Sequence, residues 1–224
     1  MDTVTFADPA VIAWINDNVV FAKVNCEDEN GEKTEFAKSQ GVVAYPTFGL
    51  YKSDGTHIDR DVGFIEPEKF VEIFDDFCNG KNTLEYFLKE LEAKSDIENN
   101  WAVANKYRWR GETERAEEYF AVVIEIDSSD KEGKNSESMY ALADMKRREK
   151  VYDSAIERYQ RLIDKFPSSP LTTDAVIYIA ICHRNNGDTT QAIAQFGKFI
   201  QLYPESEDVG YASKHIRKLI GEGY

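Results

Sequence analysis

Three arginines, Arg108, Arg147 and Arg184, recur at intervals of 39 and 37 residues in a chain whose formal net charge is −14. A guanidinium is a planar fork of donors that grips a carboxylate through two hydrogen bonds, so a spaced set of arginines is a means of holding an acidic segment or a free C-terminal carboxylate. Trp101, Asn105 and Trp109 accompany Arg108, Tyr140, Asp144 and Arg148 accompany Arg147, and Ile177 and Ile181 precede Arg184. Aromatic and aliphatic side chains so placed would add apolar contact to the charge recognition. A plainer reading stands beside this one, in which Asp and Glu on the same or neighbouring helices neutralise the arginines as ordinary ion pairs.

Other chemistry is sparsely represented. Cys26, Cys78 and Cys182 lie far apart, with no Cys-x-x-Cys and no metal-type spacing, and the reading favoured for each is a small apolar side chain. His57, His183 and His215 have no Cys, Asp or His at ligand spacing, so neither metal nor other cofactor is expected. No GxxxxGK[ST] loop, GxGxxG helix start or HExxH motif occurs. The acidic balance argues against nucleic acid, whose affinity rests on neutralising phosphates. No run of about 18 apolar residues exists to span a membrane. Without a basic, apolar leader the chain as written is expected in the cytoplasm, and in the periplasm or envelope if a signal-bearing segment precedes it.

Two kinds of element must position these residues. Asp8-Pro9 opens a helix carrying Val11, Trp14 and Ile15, with Asp8 as cap. A strand is predicted at Val19–Val24, a helix near Lys33–Gln40 ending at Gly41, strands at Thr47–Tyr51 and His57–Val62 joined by Ser53-Asp54-Gly55-Thr56, and a helix from Pro67 with Phe70, Val71, Ile73 and Phe74 on its apolar face. From about Thr83 the pattern is wholly helical, which places a domain boundary near Asn79-Gly80-Lys81-Asn82. In this second part Ala116 and Phe120, Ala155 and Tyr159, and Ala192 and Phe196 repeat one spacing, and Ala104, Ala143 and Ala180 recur on the preceding helices. Met139, Leu142, Ile156 and Leu162 fall at core spacing.

The recurring small-then-aromatic pattern resembles the tetratricopeptide family of helical-hairpin repeats, here over about 98–130, 136–169 and 171–206, with a helix before them at Thr83–Lys94 and a capping helix at Val209–Ile220. The resemblance implies a superhelix whose first helices line a groove for partner peptides, and that groove would carry the arginines and their neighbours named above. Residues 1–80 resemble a thioredoxin domain through Thr5-Phe6-Ala7-Asp8-Pro9-Ala10-Val11, Val19–Asn25, Gly41–Phe48, Asp54-Gly55 and Asp59–Phe64. That resemblance implies a cis proline at Pro46, with Tyr45, Pro46 and Thr47 docking a peptide by strand-like pairing. The match begins just after the family's Cys-x-x-Cys segment, so it implies that the central strand and the dithiol would lie upstream of Met1. The sheet left without that strand is expected to have a hole, which invites a second copy to close it as a homodimer.

The expected fold is therefore an incomplete α/β thioredoxin-like domain over 1–80 followed by an all-α tetratricopeptide superhelix over 81–224. The expected function is a non-catalytic adaptor binding a protein or peptide partner, acidic by the argument from arginine. The alternative is a thiol-disulfide oxidoreductase whose dithiol lies upstream.

Overall fold

The computed structural model describes residues 1–221, which divide by packing into two compact units, Met1–Tyr119 and the described residues from Phe120 onward. Composition shifts at 79–82, but the packing division lies between Tyr119 and Phe120, because the two helices that follow residue 83 are bound into the first unit. The elements are a 3-10 turn at Thr5–Ala7, α1 (Pro9–Asn18), α2 (Glu35–Ser39), β1 (Thr47–Tyr51), β2 (His57–Val62), α3 (Pro67–Cys78), α4 (Leu84–Ala93), α5 (Ile97–Arg108), α6 (Thr113–Ile126), α7 (Lys134–Arg148), α8 (Tyr152–Lys165), α9 (Leu171–Asn185), α10 (Thr189–Leu202) and α11 (Val209–Leu219).

In the first unit Asp8 caps α1 by accepting from the N–H groups of Ala10 at 2.8 Å and Val11 at 3.2 Å. β1 and β2 pair antiparallel with Thr47 opposite Val62, Gly49 opposite Arg60 and a bulge at Leu50/Tyr51. α3 lays Phe70, Phe74 and Phe77 against Val11, Leu50 and Ile65, a core that Phe6, Trp14 and Phe48 extend through edge-on ring contacts. Each buried phenyl ring contributes about 1.5–3 kcal/mol of transfer free energy.

The predicted strand Val19–Val24 does not form. A strand exists only through its neighbours' hydrogen bonds, and the N–H groups of Val20 through Asn25 make none. The sheet among the described residues has two strands, so the α/β thioredoxin-like sheet expected from the sequence is not shown. The Tyr45–Pro46 peptide bond is cis.

Asp59 ties the hairpin to α4 and α5. Its carboxylate has no exposed surface, yet sits among donors: the Leu84 N–H at 2.6 Å, Arg110 Nη2 at 2.6 Å and Lys106 Nζ at 3.0 Å. The Leu84 contact adds a carboxylate to the first turn of α4, where the helix dipole favours it. Lys106 also lies over the Phe77 ring at 4.3 Å. Gly41 closes the same region from another side. Its backbone is left-handed, and a Cβ there would meet the Arg110 carbonyl oxygen at 2.3 Å.

The second unit is a tetratricopeptide-like array, in which α7 packs on α8, α8 on α9, α9 on α10 and α10 on α11. The small residues fall where helices meet: Ala143, Ala155 and Ala175 are fully buried around Tyr159, and Ala180, Ala192 and Ala212 around Phe196 and Phe199. Of the other predicted core residues, Leu162 is buried in the first of these clusters and Met139 and Ile156 pack against it. The chain before α7 is organised by a buried carboxylate, Asp127, which accepts from the Lys134 N–H at 3.0 Å and the Asn135 N–H at 3.2 Å.

Two outcomes follow from this packing. Replacing Asp59 by Asn leaves Lys106 and Arg110 buried without their counter-charge, and urea denaturation should show a loss of about 3–5 kcal/mol. His57 is held neutral first by burial and then by Arg60 and Arg110, with its pKa lowered from 6.5 to about 4. The unfolded chain therefore binds this proton at a higher pH than the folded chain does. The stability His57 contributes is complete above pH 6.5 and is lost as pH falls toward 4. His57→Phe should flatten that part of the acid limb in a pH series of thermal melts.

Candidate functional site

The sequence-predicted arginines do not form one stripe of available cations. In the second unit Arg147 and Arg148, on the last turn of α7, converge on Asp144 one turn before them, and Asp144 is 3% exposed. Arg147 Nε donates to Asp144 Oδ1 at 3.1 Å, with a second, shorter bond from Nη2, and Arg148 Nε donates to Oδ2 at 2.7 Å. These are the i+3 and i+4 positions at which helix side chains meet. The buried carboxylate needs both partners, so for this pair the ion-pair reading holds. Arg147 is held further by lying 4.5 Å from the centre of the Tyr178 ring.

Beneath this pair is an apolar and aromatic floor. Tyr140 meets Tyr159 edge-on at 5.7 Å, and Tyr159 stacks with Tyr178 at 5.8 Å. Burial drives the phenols of Tyr140 and Tyr159 well above the ordinary tyrosine range. Cys182 is buried here too, and burial pushes its thiol up to about 12, so it holds its proton and packs as an apolar group.

Arg184, on the last turn of α9, is arranged differently. Its Nη1 donates to Tyr211 Oη at 2.9 Å and lies 3.0 Å from His215 Nδ1, while Nε and Nη2 donate to Asn185 Oδ1 at 3.1 and 3.0 Å. All these partners are neutral or polar, and no carboxylate lies within ion-pair distance of Arg184 among the described residues. His215 stacks on Phe196 at 5.8 Å. Its pKa is lowered by burial and then by Arg184, which leaves the ring neutral near pH 7. Tyr211 and His215 belong to α11, and their role is legible only in the fold, since they lie 27 and 31 residues beyond the arginine. The arrangement presents one uncompensated guanidinium backed by a hydroxyl and an imidazole, a set of groups suited to an anionic oxygen. Ile177 is buried in the α9–α10 core, and Ile181 packs against that core's edge.

In the first unit Arg108 lies 4.3 Å from the centre of the Trp109 ring, and Asn105 is turned back to its own helix, donating to the Trp101 carbonyl at 2.9 Å. Tyr45 donates to the Cys26 carbonyl at 3.3 Å, and Thr47 to the Ala44 carbonyl at 2.7 Å. Tyr45, Pro46 and Thr47 border an open apolar cavity of about 1030 Å³ within this unit.

A family model described as YfiO, an outer membrane lipoprotein, matches residues 132–217. Among solved structures, TPR-like repeats of a Podosopora anserina kinesin light chain protein are 13% identical to this chain, covering 62% of it and 76% of that chain at a TM-score of 0.49. The structure of MamA is 18% identical, covering 71% of this chain and 96% of that one at a TM-score of 0.47. No curated protein matches the chain. Among the described residues, no helix is long and apolar enough to cross a membrane.

Proposed function

We propose that this protein is a non-catalytic adaptor that binds an acidic peptide segment of a partner protein on its helical-hairpin array, with Arg184 as the charge anchor. Tetratricopeptide-like arrays generally serve as protein-binding scaffolds, because stacked hairpins leave an extended surface of first helices facing one way. The observation that carries the proposal is the contrast between the arginines. Arg147 and Arg148 are spent on Asp144, whereas Arg184 is surrounded by Tyr211, His215 and Asn185 with no anion among them. Tyr140, Asp144, Arg147, Arg148, Ile177 and Ile181 then shape and stiffen the surface rather than supply charge.

Residues 1–80 keep, at the predicted positions, α1, α2, the hairpin β1–β2 and α3, and this order supports reading them as a thioredoxin-like element. The family model over 132–217 supports an envelope setting for this protein. Trp101, Asn105, Arg108 and Trp109 are proposed as a separate contact patch on the first unit.

The test uses the full chain and a fluorescein-labelled peptide of alternating Glu and Leu with a free C-terminal carboxylate. Fluorescence anisotropy should show saturable binding that weakens about tenfold in Arg184→Ala, the order expected for one charge-assisted contact. Arg148→Ala should change it less than about twofold. Equal binding by the Arg184→Ala chain would remove the case for this anchor.

A further inference from the structure

The neighbours of Arg184 decide how an anion can approach it. Asn185 Oδ1 receives Nε and Nη2 at 3.1 and 3.0 Å and so covers one edge of the guanidinium. The edge left for a carboxylate runs from Nη2 to Nη1. Nη1 is turned to α11, where it donates to Tyr211 Oη at 2.9 Å and lies 3.0 Å from Nδ1 and 3.1 Å from Nε2 of His215. An anionic oxygen on this edge therefore meets the imidazole and the phenol as well as the arginine. Tyr211 accepts the arginine's hydrogen with its oxygen, which leaves its own proton for a second acceptor.

The His215 ring is the group whose state must change when an anion arrives. Beside a guanidinium it serves as an acceptor: one ring nitrogen has to be unprotonated to receive Nη1, and an imidazolium, a donor at both nitrogens, cannot do so. The charged groups that act on the ring are all cations, Arg184 from α9 and Lys214 and Lys218 from α11 itself, while α10 covers it with the Phe196 ring, stacked at 5.8 Å. Burial and these cations hold the pKa of His215 below its ordinary value. No carboxylate lies within ion-pair distance of His215 or Arg184 among the described residues. A partner carboxylate reverses this balance. It offsets the positive charge around the ring and supplies an acceptor for an imidazolium N–H, so the protonated ring becomes the favoured form.

We propose that His215 is a conditional second cation of this site, which takes a proton from solvent as the partner's carboxylate binds and then donates to that carboxylate alongside Arg184 and Tyr211. The inference rests on the reading of Arg184 as the anchor and adds the regulation of the same site: acidic peptide is held more tightly in a mildly acidic setting than in a neutral one. Proton and peptide affect each other's affinity by the same factor. Because binding raises the pKa of His215, affinity rises as pH falls through the pKa of the bound complex, and it levels off once the free protein is protonated too. His183, the other histidine of this unit, already has a carboxylate, Asp188 Oδ2, 3.7 Å from its Nδ1.

The probe is the peptide of alternating Glu and Leu, unlabelled and N-acetylated, titrated into the full chain by calorimetry at pH 6.5 in two buffers of different ionisation enthalpy, which counts the protons taken up per peptide bound. Expected are an uptake of about 0.3–1 proton and an affinity about fivefold tighter at pH 5.5 than at pH 8. His215→Gln keeps an amide that can accept from Arg184 and donate to a carboxylate at every pH, so it should bind the peptide but lose both the uptake and the pH dependence. His183→Gln should behave like the parent chain. The proton count comes from the parent chain, so a folding defect in His215→Gln leaves the test standing. Saturable binding without proton uptake overturns the proposal, as does an affinity that is the same at both pH values or an uptake that persists in His215→Gln. Equal binding by the Arg184→Ala chain, or no saturation up to about 1 mM peptide, overturns the anchor reading and this inference with it, which tells the two failures apart.

Discussion

Helices of an array can stack closely only where a small side chain lets one backbone approach the next, and in the second unit that constraint fixes nearly everything else. Ala143, Ala155 and Ala175 bring α7, α8 and α9 together, and Ala180, Ala192 and Ala212 do the same for α9, α10 and α11. Once those contacts are set, the ring that follows each alanine on the second helix has one place to go, and Tyr159 and Phe196 fill it without exposed surface. The same register decides which residues end a first helix near α11. Arg184 meets Tyr211 and His215 because Ala180, one turn earlier, has fixed the position of α9 in its cluster with Ala212.

The first unit rests on the opposite kind of contact, a buried charge. A carboxylate without exposure is tolerable only when its lone pairs are filled, and Asp59 gathers a helix N-terminus and two cations to do so. Such a cluster supplies orientation that the hairpin's small apolar face cannot, since two strands alone are marginal. It also has a remainder: Arg60, next in sequence to Asp59, is buried with no carboxylate of its own.

What was legible in the sequence follows the range of the forces involved. The hairpin strands, the Pro67 helix start, the Asp8 cap and the alanine register depend on neighbours within a turn or two, and the structure places them where the pattern put them. The pairing of Arg147 and Arg148 with Asp144 was legible as the plainer of two readings, because i+3 and i+4 geometry is local. Val19–Val24 has the composition of a strand, but strand formation depends on partners elsewhere in the chain. The Asp59 cluster spans 25 residues to Leu84 and 51 to Arg110. The setting of Arg184 likewise came from α11. Sequence periodicity marked three arginines as equivalent, and only folding showed that their electrostatic surroundings differ.

The central claim is that Arg184, rather than the α7 pair, receives the partner's negative charge. Titrating isotope-labelled protein with the Glu-Leu peptide while following backbone and arginine side-chain NMR resonances tests it most directly. The account predicts saturable shifts centred on Arg184, Tyr211 and His215, with Arg148 nearly still. Shifts centred on Arg147 and Arg148, with Arg184 unmoved, would contradict it.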